Sequence, residues 1–466
     1  MAYKLRDYQQ ESLNKIKDFI SSSKIHKGLI VAPTGAGKSL IVANIAREVN
    51  APILCIQPSK ELLQQNYEKY ISYGLKASIY SASIGTKEIS NVTFATPKSV
   101  FNKLNDFKRF EYICVDEAHL GSKRNSVLDK IVKRIKPKKV IGLTATPIYL
   151  ANTLQGSMLK MMNRTKDSIF KHIIHVTQIQ ELTEKSFWSE LLYENEYVDT
   201  SMLRMKSGAS DFTRESISKM YAINNTDKNI TNQIYKLKKE GRKSILVFVP
   251  SVQEAKDLTA RVDGSEYVCA ETKKAERDKI ITDFKSGKTR VVFNVNVLAT
   301  GFDHPELDAI IMARPTASLA IYYQQVGRGC RIAPNKKNCK VIDLSGNAFR
   351  FGKVEDINFE NIAGYGWGMF AGEKLVTRVL LSSSIEVTKD ELSIGEISNP
   401  IHSQHRDNPS TIVTFGKHKG KTIQRVWEQE PRYLSWIASD KFDPTDEKII
   451  LFKSRVCEFI KAKLIY

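Results

Sequence analysis

The sequence predicts an α/β protein with two tandem parallel-sheet lobes, an insertion between them and a small module near its end. Three observations predict this class. Short apolar runs alternate with helix-like segments over residues 1–150, and the alternation returns over 241–350; strands separated by helical crossovers pair in parallel. Glycine-rich or charged clusters follow several of these runs directly, where parallel sheets collect ligands at the C-terminal ends of their strands. A chain of 466 residues, 42% hydrophobic and 26% charged, is of globular composition and long enough for more than one core.

The first lobe opens with an apolar run, Gly28 to Val31, and a helical pattern from Leu40 to Glu48. Between them lies Ala32-Pro33-Thr34-Gly35-Ala36-Gly37-Lys38-Ser39. Strand, glycine-rich loop, Lys-Ser and helix form a phosphate-binding loop: small residues let backbone N–H groups close around a triphosphate, facing the positive end of the helix dipole. Lys38 is placed for the β/γ phosphates and Ser39 for Mg²⁺, while Ala32 stands where the motif usually begins with glycine. The runs Ile53–Ile56, Val92–Ala95, Tyr112–Val115 and Val140–Leu143 supply further strands. Asp116-Glu117-Ala118-His119 follows the third of these without a break. Asp116 is placed to hold Mg²⁺ and Glu117 to deprotonate an attacking water.

The second lobe reads as strands at Ile245–Val249, Tyr267–Cys269, Val291–Val295, Ala309–Met312 and Val341–Asp343. Within it, Tyr322 to Arg331 places Arg328 and Arg331 three apart, on one face if helical. Guanidinium groups stabilise the charge that phosphoryl transfer spreads over the γ-phosphate. Such distant arginines serve the first lobe only when the lobes close.

These blocks resemble those of superfamily-2 helicases of the DEAH-box type and run in that family's order. Leu5-Arg6-Asp7-Tyr8-Gln9 resembles the adenine-reading element, Ala32–Ser39 motif I, Pro58–Leu62 motif Ia and Ala95–Pro97 motif Ib. Asp116–His119 resembles motif II, Thr144–Pro147 motif III, Ser244–Val249 motif IV, Ala299–Asp303 motif V and Gln324–Arg331 motif VI. The resemblance implies RecA-like lobes and ATP as cofactor with Mg²⁺. It implies that Gln9 and Arg6 frame adenine and that Gln324 helps place the γ-phosphate. The nucleotide set is then Arg6, Gln9, Pro33, Thr34, Gly35, Ala36, Gly37, Lys38, Ser39, Gly301 and Asp303. Candidate nucleic-acid grips are Ser59, Lys60, Thr96, Ser251 and Thr300, small hydroxyls and one ammonium suited to phosphates rather than base edges. Thr144 and Thr146 are expected to couple hydrolysis to strand grip. Arg314-Pro315-Thr316 and Asp343–Asn347 are most similar to phage and bacterial branch-migration and repair helicases of the UvsW, RadD and RecG sort. The chain lacks the cysteine-rich zinc element that some RadD-like relatives carry.

The bulk numbers agree. Seventy-one Lys and Arg against 51 Asp and Glu give net charge +20, which points to a polyanion. DNA that is forked, branched or partly single-stranded is the expected partner; RNA stays open, because nothing here reads a 2′-OH. No apolar run spans a bilayer and the polar start lacks a signal-peptide core, so a cytoplasmic protein, monomeric in action, is expected. Six scattered cysteines, none in a Cys-x-x-Cys pair, fit reduced thiols.

Between the lobes, residues 151–240 carry helix-like Met158–Asn163 and Ser216–Lys239 and strand-like Ile173–Val176 and Tyr193–Val198. This stretch is either an insertion that contacts a nucleic-acid fork or a bridge between lobes. Residues 351–410 form an extension and linker in which Tyr365, Trp367 or Phe370 either stack on bases or pack on the second lobe. Residues 411–466 form a basic module. Its Phe415-Gly416-Lys417-His418 run and Arg432–Ile437 resemble a module appended to exonuclease-X-like proteins. The Gly416 and Gly420 pair suggests a hairpin presenting Lys417, Lys419 and Lys421, either as a phosphate clamp or as a solvated turn. Two rival functions remain: a duplex-tracking motor of a restriction or defence complex, and a non-enzymatic nucleic-acid binder.

Overall fold

The computed structural model describes residues 3–153, 156–206, 211–298, 302–363, 365–378, 413, 416–418, 421, 423–438, 453 and 456. In chain order the first half comprises α1 (Asp7–Ser21), β1 (Lys27–Val31), α2 (Lys38–Glu48), β2 (Ile53–Ile56), α3 (Lys60–Ile71), β3 (Ser78–Ser81), β4 (Thr86–Lys87), β5 (Val92–Ala95), α4 (Pro97–Phe101), β6 (Tyr112–Val115), α5 (Val127–Ile135) and β7 (Lys139–Thr144). There follow β8 (Ile148–Thr153), β9 (Gly156–Met161), β10 (His172–Val176), α6 (Ile179–Glu184), β11 (Glu190–Asn195), α7 (Arg214–Ile223) and α8 (Thr226–Lys239). The second half comprises β12 (Ile245–Phe248), α9 (Val252–Arg261), β13 (Ser265–Val268), α10 (Lys274–Lys285), β14 (Val291–Asn294), β15 (Ala309–Met312), α11 (Leu319–Val326), β16 (Asn338–Asp343) and α12 (Asn347–Phe351). A three-stranded antiparallel sheet, β17 (Ile357–Ile362), β18 (Gly366–Ala371) and β19 (Lys374–Leu375), comes after it.

Continuous apolar runs such as Ile53-Leu54-Cys55-Ile56 are buried on both faces, which a strand tolerates only inside a helix-covered parallel sheet. The first sheet has eight strands ordered β10-β1-β7-β6-β2-β5-β3-β4, and the second has six ordered β11-β16-β15-β12-β14-β13. Only β4 runs antiparallel within them. Helices flank both sheets, so the expected pair of parallel-sheet lobes is observed.

Residues 151–240 are shared out rather than set apart. β10 pairs with β1 at the edge of the first sheet, and β11 pairs with β16 at the edge of the second. The helix expected at Met158–Asn163 is instead strand β9, paired antiparallel with β8 from Ile148↔Met161 to Thr153↔Gly156. A short apolar run fits either period, and the facing strand decides it. The helix expected over Ser216–Lys239 breaks at Asn225, whose φ of 48° lies in the left-handed region.

The glycine–aromatic stretch resolves the same way. Tyr365 and Phe370 are buried with Leu375 and Ile362 in a small core, and Trp367 packs against the main core. Base stacking by Tyr365 or Phe370 is therefore corrected to packing. Among the described residues the most exposed aromatic side chains are Phe349, 96% exposed, and Tyr197, 93% exposed. In the last module, helices Ile423–Gln429 and Pro431–Ala438 close on Val413, Val426, Leu434 and Ile437. Lys417 and His418 pair with Glu430, and Lys421 bonds Gln429, so these basic side chains fold back on the module. Lys419 and Gly420 lie outside the described residues.

Glu194 on β11 fastens this edge strand: it pairs with Lys236 of α8 and, at 2.8 Å, with Lys340 of β16. Lys236 and then Lys340 hold its carboxyl down to about 2. A carboxyl held below its unfolded value, about 4.3, stabilises the fold above that value and ceases to do so as pH falls towards 2. Glu194→Gln is expected to lower the melting temperature at pH 7. The deficit should shrink steadily between pH 4.5 and pH 2.5 in melts of both proteins, whereas a pH-independent deficit contradicts the assignment.

Candidate functional site: a nucleotide cavity between the lobes

The loop after β1 is built from its glycines. Gly35 and Gly37 take φ of 83° and 74°, the left-handed region that side chains avoid. Gly37 starts α2 without a capping side chain, which leaves the first-turn N–H groups for an anion. Behind the loop, Tyr8 Oη and Gln9 Nε2 both donate to the Ala36 carbonyl, at 3.0 and 2.9 Å. Gln9 Oε1 accepts from Arg6 N at 3.0 Å, and a Cβ on Gly37 would sit 2.5 Å from Gln9 Nε2. Gln9, expected at adenine, is buried here as a brace of the loop.

A cavity of about 390 Å³ lies over this loop, lined by Arg6, Thr34, Gly35, Gly37, Lys38, Ser39, Asp116, Glu117, Asp303, Arg328 and Arg331 among others. Residues of both lobes therefore face one space. Lys38 Nζ stands 3.6 Å from Glu117 Oε1. Asp116 Oδ1 accepts the Glu117 N–H at 2.9 Å, and Oδ2 accepts from Asn66 Nδ2 at 2.9 Å. Burial, then Glu117, raises the Asp116 carboxyl to about 6. Glu117 is deeply buried, yet Lys38, His119 and Arg328 outweigh that burial and keep its carboxyl below the usual range. Its backbone is left-handed at φ 47°, a strained setting for a side-chain-bearing residue. His119 Nδ1 reaches Thr144 Oγ1 at 2.8 Å, and that oxygen accepts from Thr146 N at 3.1 Å. Burial lowers the proton affinity of His119, against the pull of the nearby Glu117 carboxylate.

Arg328 and Arg331 follow α11 in a turn, so the expected single helical face is replaced by convergence on one carbonyl. Their Nη1 atoms donate to Phe302 O at 2.8 and 3.0 Å, and Arg331 also pairs with Asp303 at 2.8 Å. Burial lowers the proton affinity of both, but a guanidinium stays charged. The turn abuts the loop: a Cβ on Gly327 would sit 2.7 Å from Thr34 Cβ. Pro33, Ala36 and Gln324 are not among the cavity-lining residues; Gln324 lies buried in α11. Gly301 and Thr300 lie outside the described residues.

Ser59, Lys60 and Thr96 line a second cavity of about 660 Å³ at the ends of β2, β5 and β6, and this cavity also reaches Asp116 and Glu117. Ser59 and Ser251 each cap a helix, α3 and α9. Ser251 lines a different cavity with Lys206, Arg214 and Arg314. Sequence reasoning missed Asn66 and the buried link from His119 to Thr144. The signal for Asn66 was present: it shares the buried face of α3 with Leu63 and Tyr70, where an amide needs a polar partner.

The residues fit Mg²⁺. Two carboxylates share a buried space with Ser39, and burial, then Glu117, raises the proton affinity of Asp116, a cost that a cation would offset. Among the described residues no group of three or more His, Cys, Asp or Glu could hold a metal. Such an ion would therefore take Ser39, Asp116 and phosphate oxygens as partners. Glu117→Gln keeps this packing while removing the carboxylate. It is expected to retain nucleotide binding and lose about 100-fold or more of steady-state ATP turnover, measured side by side with a fluorescent ATP analogue and phosphate release.

Residues 2–149 match the family described as type III restriction enzyme, res subunit; 225–333 match the helicase conserved C-terminal domain; 413–440 match the exodeoxyribonuclease X-like C-terminal family. The chain is 27% identical over 369 residues to the putative ATP-dependent helicase IRC3 of Saccharomyces cerevisiae, covering 73% of this chain and 51% of that protein. It is 28% identical over 323 residues to a 51.5 kDa protein of a Lactococcus phage, covering 68% and 65%. It is 24% identical over 354 residues to the DNA 3'-5' translocase XPB2 of Sulfurisphaera tokodaii, covering 70% and 78%. The chain thus spans about half the yeast protein and under two thirds of the phage protein. In fold it resembles the type ISP restriction-modification enzyme LlaBIII bound to DNA, with TM-score 0.56, 17% identity and coverage of 74% and 28%. It also resembles a fragment of a putative type I restriction HsdR subunit from Vibrio vulnificus, with TM-score 0.55, 19% identity and coverage of 76% and 66%. Its two lobes thus match the two domain families that make up superfamily-2 helicases, and residues of both matched domains line one cavity.

Proposed function

We propose that the chain is an ATP-driven DNA translocase that separates or migrates strands at forked or branched DNA in recombination, repair or replication, acting as a cytoplasmic monomer. The observation that carries this reading is the single cavity lined by Lys38, Asp116 and Glu117 from one lobe and Asp303, Arg328 and Arg331 from the other. ATP held there contacts both lobes, so binding favours closure and hydrolysis removes the bridging charge. The net charge of +20 supports a polyanionic track, and the DNA-named relatives support DNA over RNA.

The chemistry follows from the charges. Lys38 sits beside Glu117 and lowers its proton affinity. A triphosphate draws the Lys38 ammonium to its β/γ oxygens, and Glu117 becomes a stronger base for water as that ammonium leaves. Ser39 and Asp116 would hold Mg²⁺, which would supply positive charge against the phosphate oxygens. Arg328 and Arg331 stabilise the equatorial oxygens in the transition state, and Gln324 and Arg6 assist at the γ-phosphate and the base. The adenine contact assigned to Gln9 requires its amide to exchange one of its present bonds. His119, Thr144 and Thr146 carry the state of Glu117 towards the grip at Ser59, Lys60 and Thr96, whose cavity reaches Asp116 and Glu117. Ser251 and Thr300 grip from the second lobe.

A second reading has a specific basis. The first lobe matches a restriction-enzyme subunit family, which supports a motor that tracks duplex without separating strands. ATPase and strand-separation assays on fork, Holliday junction, plain duplex and RNA, at two salt concentrations, test both. Fork-stimulated turnover with unwinding is expected. Stimulation by plain duplex with triplex displacement and no unwinding supports the tracking motor, and stimulation by RNA alone overturns a DNA substrate.

A further inference from the structure

The segment joining the lobes lies on the nucleotide site. Residues 185–189 run from the end of α6, which follows β10 of the first sheet and packs on β17, to the start of β11, in the second sheet. Lys185 is held to Asp7 of α1 at 2.7 Å. The Phe187 ring has the Arg6 guanidinium 4.3 Å from its centroid and the Tyr8 ring at 5.5 Å. Ser189 N–H donates to the carbonyl of Cys330 at 2.8 Å, inside the turn between Arg328 and Arg331. The connector is thus fastened to the adenine-side residues at one end and to the arginine turn at the other.

Trp188 sits between these fastenings. It is 5% exposed, and its indole Nε1 lies 3.4 Å from the point where a Cβ on Gly35 would stand. Arg331 Cγ lies 3.9 Å from the same point. The indole and the arginine stem therefore flank one glycine of the phosphate-binding loop. The indole N–H has no acceptor among the described residues. A buried donor without an acceptor destabilises a fold, and this one lies beside Gly35 of the phosphate-binding loop.

We propose that Trp188 is a positioning residue for phosphoryl transfer: seated on Gly35, it sets the path along which Arg331 reaches the nucleotide. The inference rests on the reading of the cavity as an ATPase site. It goes beyond that reading by giving the inter-lobe connector a part in catalysis. Arg331 acts on charge that develops in the transition state, so a fault in its placement lowers kcat more than it raises KM for ATP. Trp188 works through Arg331, so its loss adds nothing once Arg331 is gone.

The test is a double-mutant cycle on the full chain with Trp188→Phe, Arg331→Ala and the pair together, reading kcat and KM from phosphate release. Trp188→Phe keeps an aromatic ring in the space and removes the N–H and part of the indole; Trp188→Leu is a second single variant should the first perturb folding. A melting curve accompanies each protein. The expected result is a fall in kcat of about tenfold for Trp188→Phe, KM within about twofold, and no further fall in the Arg331→Ala background. Wild-type kcat in both Trp188 variants, or a loss that multiplies with that of Arg331→Ala, overturns the proposal. An inactive wild-type protein would instead overturn the ATPase reading itself.

Discussion

The structure depends on one close approach. Thr34, in the loop that would hold the triphosphate, meets Gly327, at the head of the turn that carries Arg328 and Arg331. A side chain at 327 would intrude on Thr34 at 2.7 Å, so the absence of a Cβ lets the two lobes meet there. Gly327 has an ordinary right-handed backbone, so what this position demands is space rather than backbone freedom. Around that contact the main core is continuous across the lobes. It contains Ile30 and Val115 from the first sheet and Phe248 and Ile310 from the second. The extension reinforces it, because the Gln178 side chain bonds both the N–H and the carbonyl of Phe359.

The electrostatics of the seam are those of a site prepared for a polyanion and a cation together. Two adjacent carboxylates, Asp116 and Glu117, sit in a buried space with Lys38 close by and two guanidinium groups opposite. Each group holds its neighbour at a cost: burial and Glu117 make Asp116 bind a proton more tightly than it would in water, and the arginines commit donors to the Phe302 carbonyl. In the proposed function, phosphate oxygens and a hard cation would offset both costs. Groups so arranged act on charge with little reorganisation at the moment of reaction.

Much of this was legible in the sequence, for a physical reason. Strands buried on both faces read as unbroken apolar runs, so β2, β5 and β15 have the expected ends, and the polar clusters after such runs mark the site. Lys38, Ser39, Asp116, Glu117, Asp303, Arg328 and Arg331 share one cavity. What was not legible depends on pairing and on contacts distant in sequence. Met158–Asn163 reads as helix until β8 lies beside it. β10 and β11 look alike in sequence, and which sheet each joins follows from neighbours far along the chain. Arg328 and Arg331 converge through a turn rather than a helical face. Trp188 and Asn66 carry no motif; their positions emerge only once the loop, α3 and the arginine turn are brought together.

One cavity spans the seam between the lobes, and in the proposed cycle the γ-phosphate holds the lobes closed on it. The most direct measurement is single-molecule energy transfer between dyes placed at Ile71 on the first lobe and Tyr235 on the second, both exposed positions. A single high-transfer population with a non-hydrolysable ATP analogue and Mg²⁺, giving way to a broad low-transfer one with ADP, is the predicted result. The same distribution with ATP analogue, with ADP and without nucleotide would contradict it.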